Sequence, residues 1–250
     1  MNKLVSGVKN TELDGLSDTL VRLYKADPSA AKDAFVAATM AEVEKLSADI
    51  TTAILQDKAV SNLEAADAER DAAIRALGKA LQGYAALPVP AKKAAAAPLL
   101  AVYEKYSKAG ITRASYISES SMIESMLEDY AAPALAEHIA ALEGVTEAVA
   151  AIRAAQDFFT AESDAYSAAS SNKGASASAV KKPLLSTIND KLVPYLTAMQ
   201  IAANENCAAF AASVEAEIIR VNEAVAKRGR KNTEAQSAAE LDEATAEGAE

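Results

Sequence analysis

Residues 210–225 read FAASVEAEIIRVNEAV, and their spacing decides the fold. Phe210, Val214, Ile218, Val221 and Val225 recur three or four positions apart. That step places them on one face of a 3.6-residue helix and leaves no strand-like alternation. Leu13, Leu16, Leu20 and Leu23 form a second stripe of the same period, and nine such stretches follow one another along the chain. The expected architecture is all-α: an elongated antiparallel helical bundle of about nine helices.

Composition sharpens this reading. Hydrophobic residues make up 51% of the 250 residues, yet aromatics are only 5% and Trp is absent. Alanine, the best helix former, carries the difference at about a quarter of all residues. Because alanine is small, the expected helices lie close together, with narrow Leu/Ile/Val seams. The net charge of −10 and a pI near 4.8 disfavour nucleic acid, whose phosphates call for clustered Lys and Arg. The same charge disfavours electrostatic docking on anionic lipid. A single cysteine, Cys207, excludes an internal disulfide and fits a reducing compartment. Met1–Gly7 has no signal-like apolar core. No window reaches the roughly 18 apolar residues of a membrane span. A cytoplasmic protein without membrane insertion is the expectation.

Punctuation residues divide the chain further. A first helix is expected over Leu13–Lys25, capped by Asn10 or Thr11, and a second from Asp27-Pro28 to about Lys58. Ser61-Asn62-Leu63-Glu64 has the form of a capping box and is read as a new helix start. That helix stops at Leu87-Pro88-Val89-Pro90. Pro98 is expected to kink the next helix or mark its beginning, and Gly110 to end it. Helices over Ser115–Tyr130, after Pro133, and from Thr146 to about Ala169 precede a Ser/Asn/Gly loop at 170–178. A helix with Pro183 and Pro194 and a final one over about Glu205–Arg228 complete the set. One helical domain over 1–228 is expected, with 229–250 as a disordered acidic tail. Helix order also matches two pseudo-repeated three-helix blocks, 28–110 and 145–228, joined by shorter helices.

Three segments carry a family likeness. Ala66-Asp67-Ala68-Glu69-Arg70-Asp71 followed by Ile74-Arg75-Ala76-Leu77 is an acidic–basic–acidic cluster preceding an apolar position and an arginine. Ile188-Asn189-Asp190-Lys191-Leu192-Val193-Pro194-Tyr195-Leu196 and the earlier Lys9-Asn10-Thr11-Glu12 complete the pattern. In these the chain resembles a bacterial (Bacteroidetes-type) family of all-helical proteins, a domain of unknown function, over most of residues 1–228. The resemblance implies a helical fold and brings no activity and no site residue. The chain departs from the pattern in its alanine content and its acidic tail.

Few constellations could carry chemistry. His138 is the only histidine, which excludes zinc and di-iron motifs that need two, and no Gly-x-Ser-x-Gly turn is present. Cys207 beside Ala208 and Ala209 reads as a buried small hydrophobe. The nine glycines fall singly, so no Gly-rich loop cradles a phosphate and no cofactor is expected. Lys227–Lys231 is a basic knot explained by a helix C-terminus. Tyr103, Tyr106, Tyr116 and Tyr130 are read as packing a waist between the blocks.

The polar cluster that stands out is Glu64, Asp67, Arg70 and Asp71, with Glu69 beside it. It could coordinate a divalent ion or act in acid–base chemistry. Structurally, Asp67 and Asp71 can pair with Arg70, Arg75 or a neighbouring helix. No metal site, cofactor site or catalytic residue follows from these residue types. The expected function is a non-enzymatic helical interaction or scaffold protein, with a protein partner or self-association. Binding of an apolar ligand or a lipid or granule surface is the alternative, and a carboxylate-based enzyme a lesser one.

Overall fold

The computed structural model describes residues 1–171 and 174–247, with side chains placed through residue 231. Among these residues there is no strand. The α-helices are α1 (Asn10–Ala26), α2 (Ala34–Ala86), α3 (Pro90–Lys108), α4 (Tyr116–Tyr130), α5 (Pro133–Ala140), α6 (Val145–Ser170), α7 (Ala177–Ser186), α8 (Val193–Ile201) and α9 (Glu205–Glu247). A π-helical segment, Thr187–Leu192, joins α7 to α8. Its cause is local. Pro194 has no N–H to give the carbonyl four residues back, and the Val193 N–H reaches instead to Ile188, five residues away.

Several boundaries differ from the sequence reading, each for a stated reason. α1 begins at Asn10, not Leu13. The N-cap is Lys9, whose backbone N–H donates to the Glu12 carboxylate at 2.7 Å. The expected start at Pro28 is a short 3₁₀ turn, Ala30–Lys32, capped by Asp27 through the N–H groups of Ser29 and Ala30. α2 itself starts one turn later, where Asp33 accepts from the N–H groups of Phe35 and Val36 at 3.0 Å each. No break occurs at Ser61. A capping box needs a breaker before it, and none stands between Lys58 and Glu64, so α2 runs on to Ala86. Pro98 sits inside α3, whose start is Pro90. α6 starts at Val145 after Gly144, a residue in left-handed conformation (φ 81°), rather than on a Thr146 cap. Gly110 takes that conformation too (φ 79°), as the reading required. α9 continues past Arg228 to Glu247. The disorder expected over 229–250 falls largely on side chains and residues outside those described.

The helices sort into two compact units, residues 1–57 with 173–250, and 58–172. The first is discontinuous and the second is a continuous stretch between its parts. These limits cut across the expected blocks 28–110 and 145–228.

The first unit buries the stripes that identified it. Leu13, Leu16 and Leu20 of α1 meet Val36, Met40, Val43 and Ile50 of α2. They also meet Leu184, Ile188 and Leu196 around the π segment and Phe210, Val214 and Ile218 of α9. Two buried hydroxyls inside it are paired: those of Ser17 and Ser47 lie 2.8 Å apart, and Ser47 donates to Asp18. The preceding segment, residues 1–9, is held down as well. Leu4 and Val8 are buried, and Asn189 exchanges two 2.8 Å hydrogen bonds with the Leu4 backbone. Asn222 likewise binds the backbone of Lys3 and Val5. Arg228 donates to the Gly7 carbonyl and pairs with Glu12. Arg228 of the basic knot therefore makes an anchoring contact, and the helix does not end there.

The second unit gathers Ile74, Leu77 and Leu81 of α2, Ala96 and Leu99 of α3, Ile123, Met126 and Tyr130 of α4, and Ile152 of α6. Close approach is enforced at Gly78, where a Cβ would fall 2.1 Å from the Tyr103 ring. Tyr103, Tyr106 and Tyr130 pack this core, and the buried Tyr130 hydroxyl donates to the Leu99 carbonyl.

Candidate functional site

The four residues singled out in the sequence, Glu64, Asp67, Arg70 and Asp71, have different partners. Arg70 is wholly buried, at 0% exposure. Its Nη2 meets Asp67 Oδ1 at 2.7 Å and Glu119 Oε2 of α4 at 3.1 Å. Its Nη1 donates to Ser120 Oγ of α4 at 2.9 Å and to Gln156 Oε1 of α6 at 3.2 Å. The guanidinium lies over the Phe159 ring of α6, 3.6 Å from its centre. Three helices thus converge on one cation. Asp71 turns instead to Arg75 at 2.6 Å, and Glu64 lies apart, on the wall of a surface hollow.

Glu119 is the residue that the sequence reading missed. It is 2% exposed, and burial pushes its carboxyl up to about 7. Arg70 opposes that rise, while Asp67 and Asp71 add to it. One oxygen of Glu119, one of Asp71 and the Nε of Arg70 are buried without a hydrogen-bond partner among the described residues. A signal for Glu119 was available. Ala66, Arg70, Ile74, Leu77 and Leu81 are spaced as one stripe on α2, and Glu119, Ile123, Leu127 and Tyr130 as one on α4. Two opposite charges therefore occupy apolar register on two helices. Only mutual pairing makes such a burial tolerable.

Beside this enclosed network the surface opens into two adjoining hollows. The larger, about 500 Å³, is lined by Val60, Leu63, Glu64, Tyr116, Ile117 and Tyr166 together with three serines. The smaller, about 280 Å³, has Ser120, Gln156 and Phe159 in its lining, the same side chains that hold Arg70. Tyr116, Ile117 and Ser163 belong to both. Ile117 is 86% exposed. Tyr116 rests edge-on against Phe159, with ring centres 5.3 Å apart. Its hydroxyl is shifted upward, first by burial and then by the negative charges of Asp67 and Glu64. Neither hollow is lined by Glu119.

Cys207 and His138 are the other candidates in the sequence. Cys207 is buried, with its thiol shifted upward by burial and by Asp33. His138 is half-buried in the last turn of α5. Among the described residues no group of three or more His, Cys, Asp or Glu side chains is arranged to hold a metal ion. No helix among them is long and apolar enough to cross a membrane.

Fold and cluster together define an all-helical protein whose second unit is organised around a buried, shared arginine. Residues 60–217, more than half of the chain, match the family of unknown function DUF6261, and the chain belongs to that family. The segments at 66–77 and 188–196 lie within the matched residues, whereas Lys9–Glu12 lies before them. No curated protein and no solved structure matches the chain.

Proposed function

We propose that the protein is a non-enzymatic, cytoplasmic interaction protein that receives a protein partner in the hollows flanking Ile117. The observation that carries this reading is the exposure of Ile117 above an apolar hollow, with Tyr116 beside it. A large aliphatic side chain held in water next to apolar walls is the usual anchor of an interface. Two features argue against acid–base catalysis at this place. The acid with the most displaced pKa, Glu119, lines neither hollow, and Arg70 is fully enclosed by its own partners.

A photoreactive residue tests the reading. With p-benzoylphenylalanine in place of Ile117, irradiation of the native cell should yield a discrete protein adduct. The same residue in place of the exposed Glu147 should not. Equal smears from both positions, or no adduct from either, would sink the proposal. An adduct of twice the chain mass, with a dimer seen by light scattering, would identify the partner as a second copy.

A further inference from the structure

We infer that the partner received at this surface is a lysine- or arginine-bearing amphipathic helix. The inference rests on the reading above and adds the chemistry of the occupant. Two observations lead to it. The first is shape. The two hollows share Tyr116, Ile117 and Ser163, so the exposed isoleucine borders both. A helix offers side chains at i and i+3 or i+4, about 5–6 Å apart, and can place one on each side of such a residue. A compact small molecule would fill one hollow and leave Ile117 wet.

The second observation is charge. Among the described residues, Glu64 is the only charged one lining the larger hollow and Asp164 the only one lining the smaller. Among the described residues, ion pairs in this unit use Asp67, Asp71, Glu104, Glu119, Glu124, Asp129 and Asp157, and neither hollow acid takes part in one. Each hollow therefore carries an unneutralised carboxylate at an apolar wall. The Tyr116 hydroxyl is shifted upward mainly by burial, with Asp67 and Glu64 acting in the same direction and Arg70 against it. The partial positive charge at the start of α4 is met locally, by the Ser115 cap and by Glu119 in the first turn. Tyr116 and Tyr166 add faces on which a cation can rest. An apolar ridge flanked by Lys or Arg satisfies all of these groups at once, whereas an acidic helix would meet like charge in both hollows.

Fluorescence anisotropy on the full chain tests this. The probe is a labelled 16-residue helical peptide with Leu at i, i+3, i+4 and i+7 and Lys on both flanks, compared with a twin carrying Glu in place of Lys. The Lys peptide should bind at least about tenfold more tightly at physiological salt. Glu64→Lys with Asp164→Lys should reverse that preference. Glu128→Lys with Glu147→Lys, an equal change of net charge at exposed positions elsewhere, should leave it standing. Equal binding of the two peptides, or an equal response of the two double variants, would overturn the inference. Full displacement of the peptide by benzyltrimethylammonium would overturn it in favour of a small-molecule site. Loss of the peptide to self-association at micromolar protein would do so in favour of a second copy. The two proposals fail separately: an adduct at position 117 to an acidic or non-helical partner segment defeats only this one.

Discussion

The two units bury polar groups in opposite ways. The first encloses hydroxyls, Ser17 against Ser47, and half-buries the Asn189 amide against the Leu4 backbone, while its acids Asp33 and Glu42 are partly exposed. The second encloses a full cation and the carboxylate that answers it. A neutral pair inside a core costs little and is indifferent to pH. A buried ion pair carries the cost of desolvating its charges, and so makes stability depend on their protonation. The contrast extends to titration. Asp33 and Glu42 of the first unit are held below the usual carboxylate range, Asp33 mainly by the Val36 N–H and Glu42 mainly by Lys191. Glu119 of the second is displaced upward, against the pull of Arg70.

The largest blow to this comparison falls on Arg70. Arg70→Met should destabilise the second unit by about 3–5 kcal/mol, the cost of stranding a buried partner. Hydrogen exchange should show the loss between residues 58 and 172 and little change in α1. Arg70→Met with Glu119→Leu should recover most of it. If the single variant is as stable as the parent, the arginine is not the organiser described above.

Next comes pH. The folded-state pKa of Glu119, about 7, lies above its ordinary 4.5. Its contribution is therefore whole below the lower value and is lost as pH rises through the higher one, by about 3 kcal/mol in all. Asp33 and Glu42 behave in the reverse sense: their contributions are present above the ordinary range and vanish as pH falls through their lowered values. Urea melts followed by exchange should show the second unit weakening toward pH 8 and the first toward pH 3. Glu119→Gln should flatten the former limb alone.

Smaller effects sharpen the picture. Gly78→Ala gains helix propensity but drives a methyl group into the Tyr103 ring, and a net loss of about 1–3 kcal/mol is expected from overpacking. Asn189→Ala should cost the first unit about 1–2 kcal/mol, with faster exchange at the Leu4 amide. Least of all, Glu64→Lys should leave thermal stability within about 0.5 kcal/mol, since it lies on a surface wall outside the ion pairs. A larger change would place Glu64 in the structural network and remove it from the hollow's chemistry.

Much of this was legible in the chain. The stripes at 13–23 and 210–225 name the core of the first unit because their apolar residues have only one buried face to share. Gly110 was legible because left-handed backbone selects glycine. The run through Ser61 was not, since a capping box and an ordinary helical interior use the same residues and differ only in what precedes them. The polar cluster was half legible. Asp67 and Arg70 stand three apart and advertise a pair. Glu119 lies 49 residues further along the chain than Arg70, and no local pattern links the two. The hollows escaped detection entirely, because Ile117 looks like any core residue until its neighbours are known.

The clamped segment around Leu4 and Val8 has a consequence for how the chain is made. Its holders, Asn189, Asn222 and Arg228, lie far behind it in the chain and are synthesised after the whole of the second unit. The first unit cannot close before then, and its leading residues wait with their leucine and valine side chains unsheltered. The second unit, contiguous over 58–172, can be finished long before. Synthesis thus completes the second unit before the first can close on residues 1–9, whose capture is the last step of its folding.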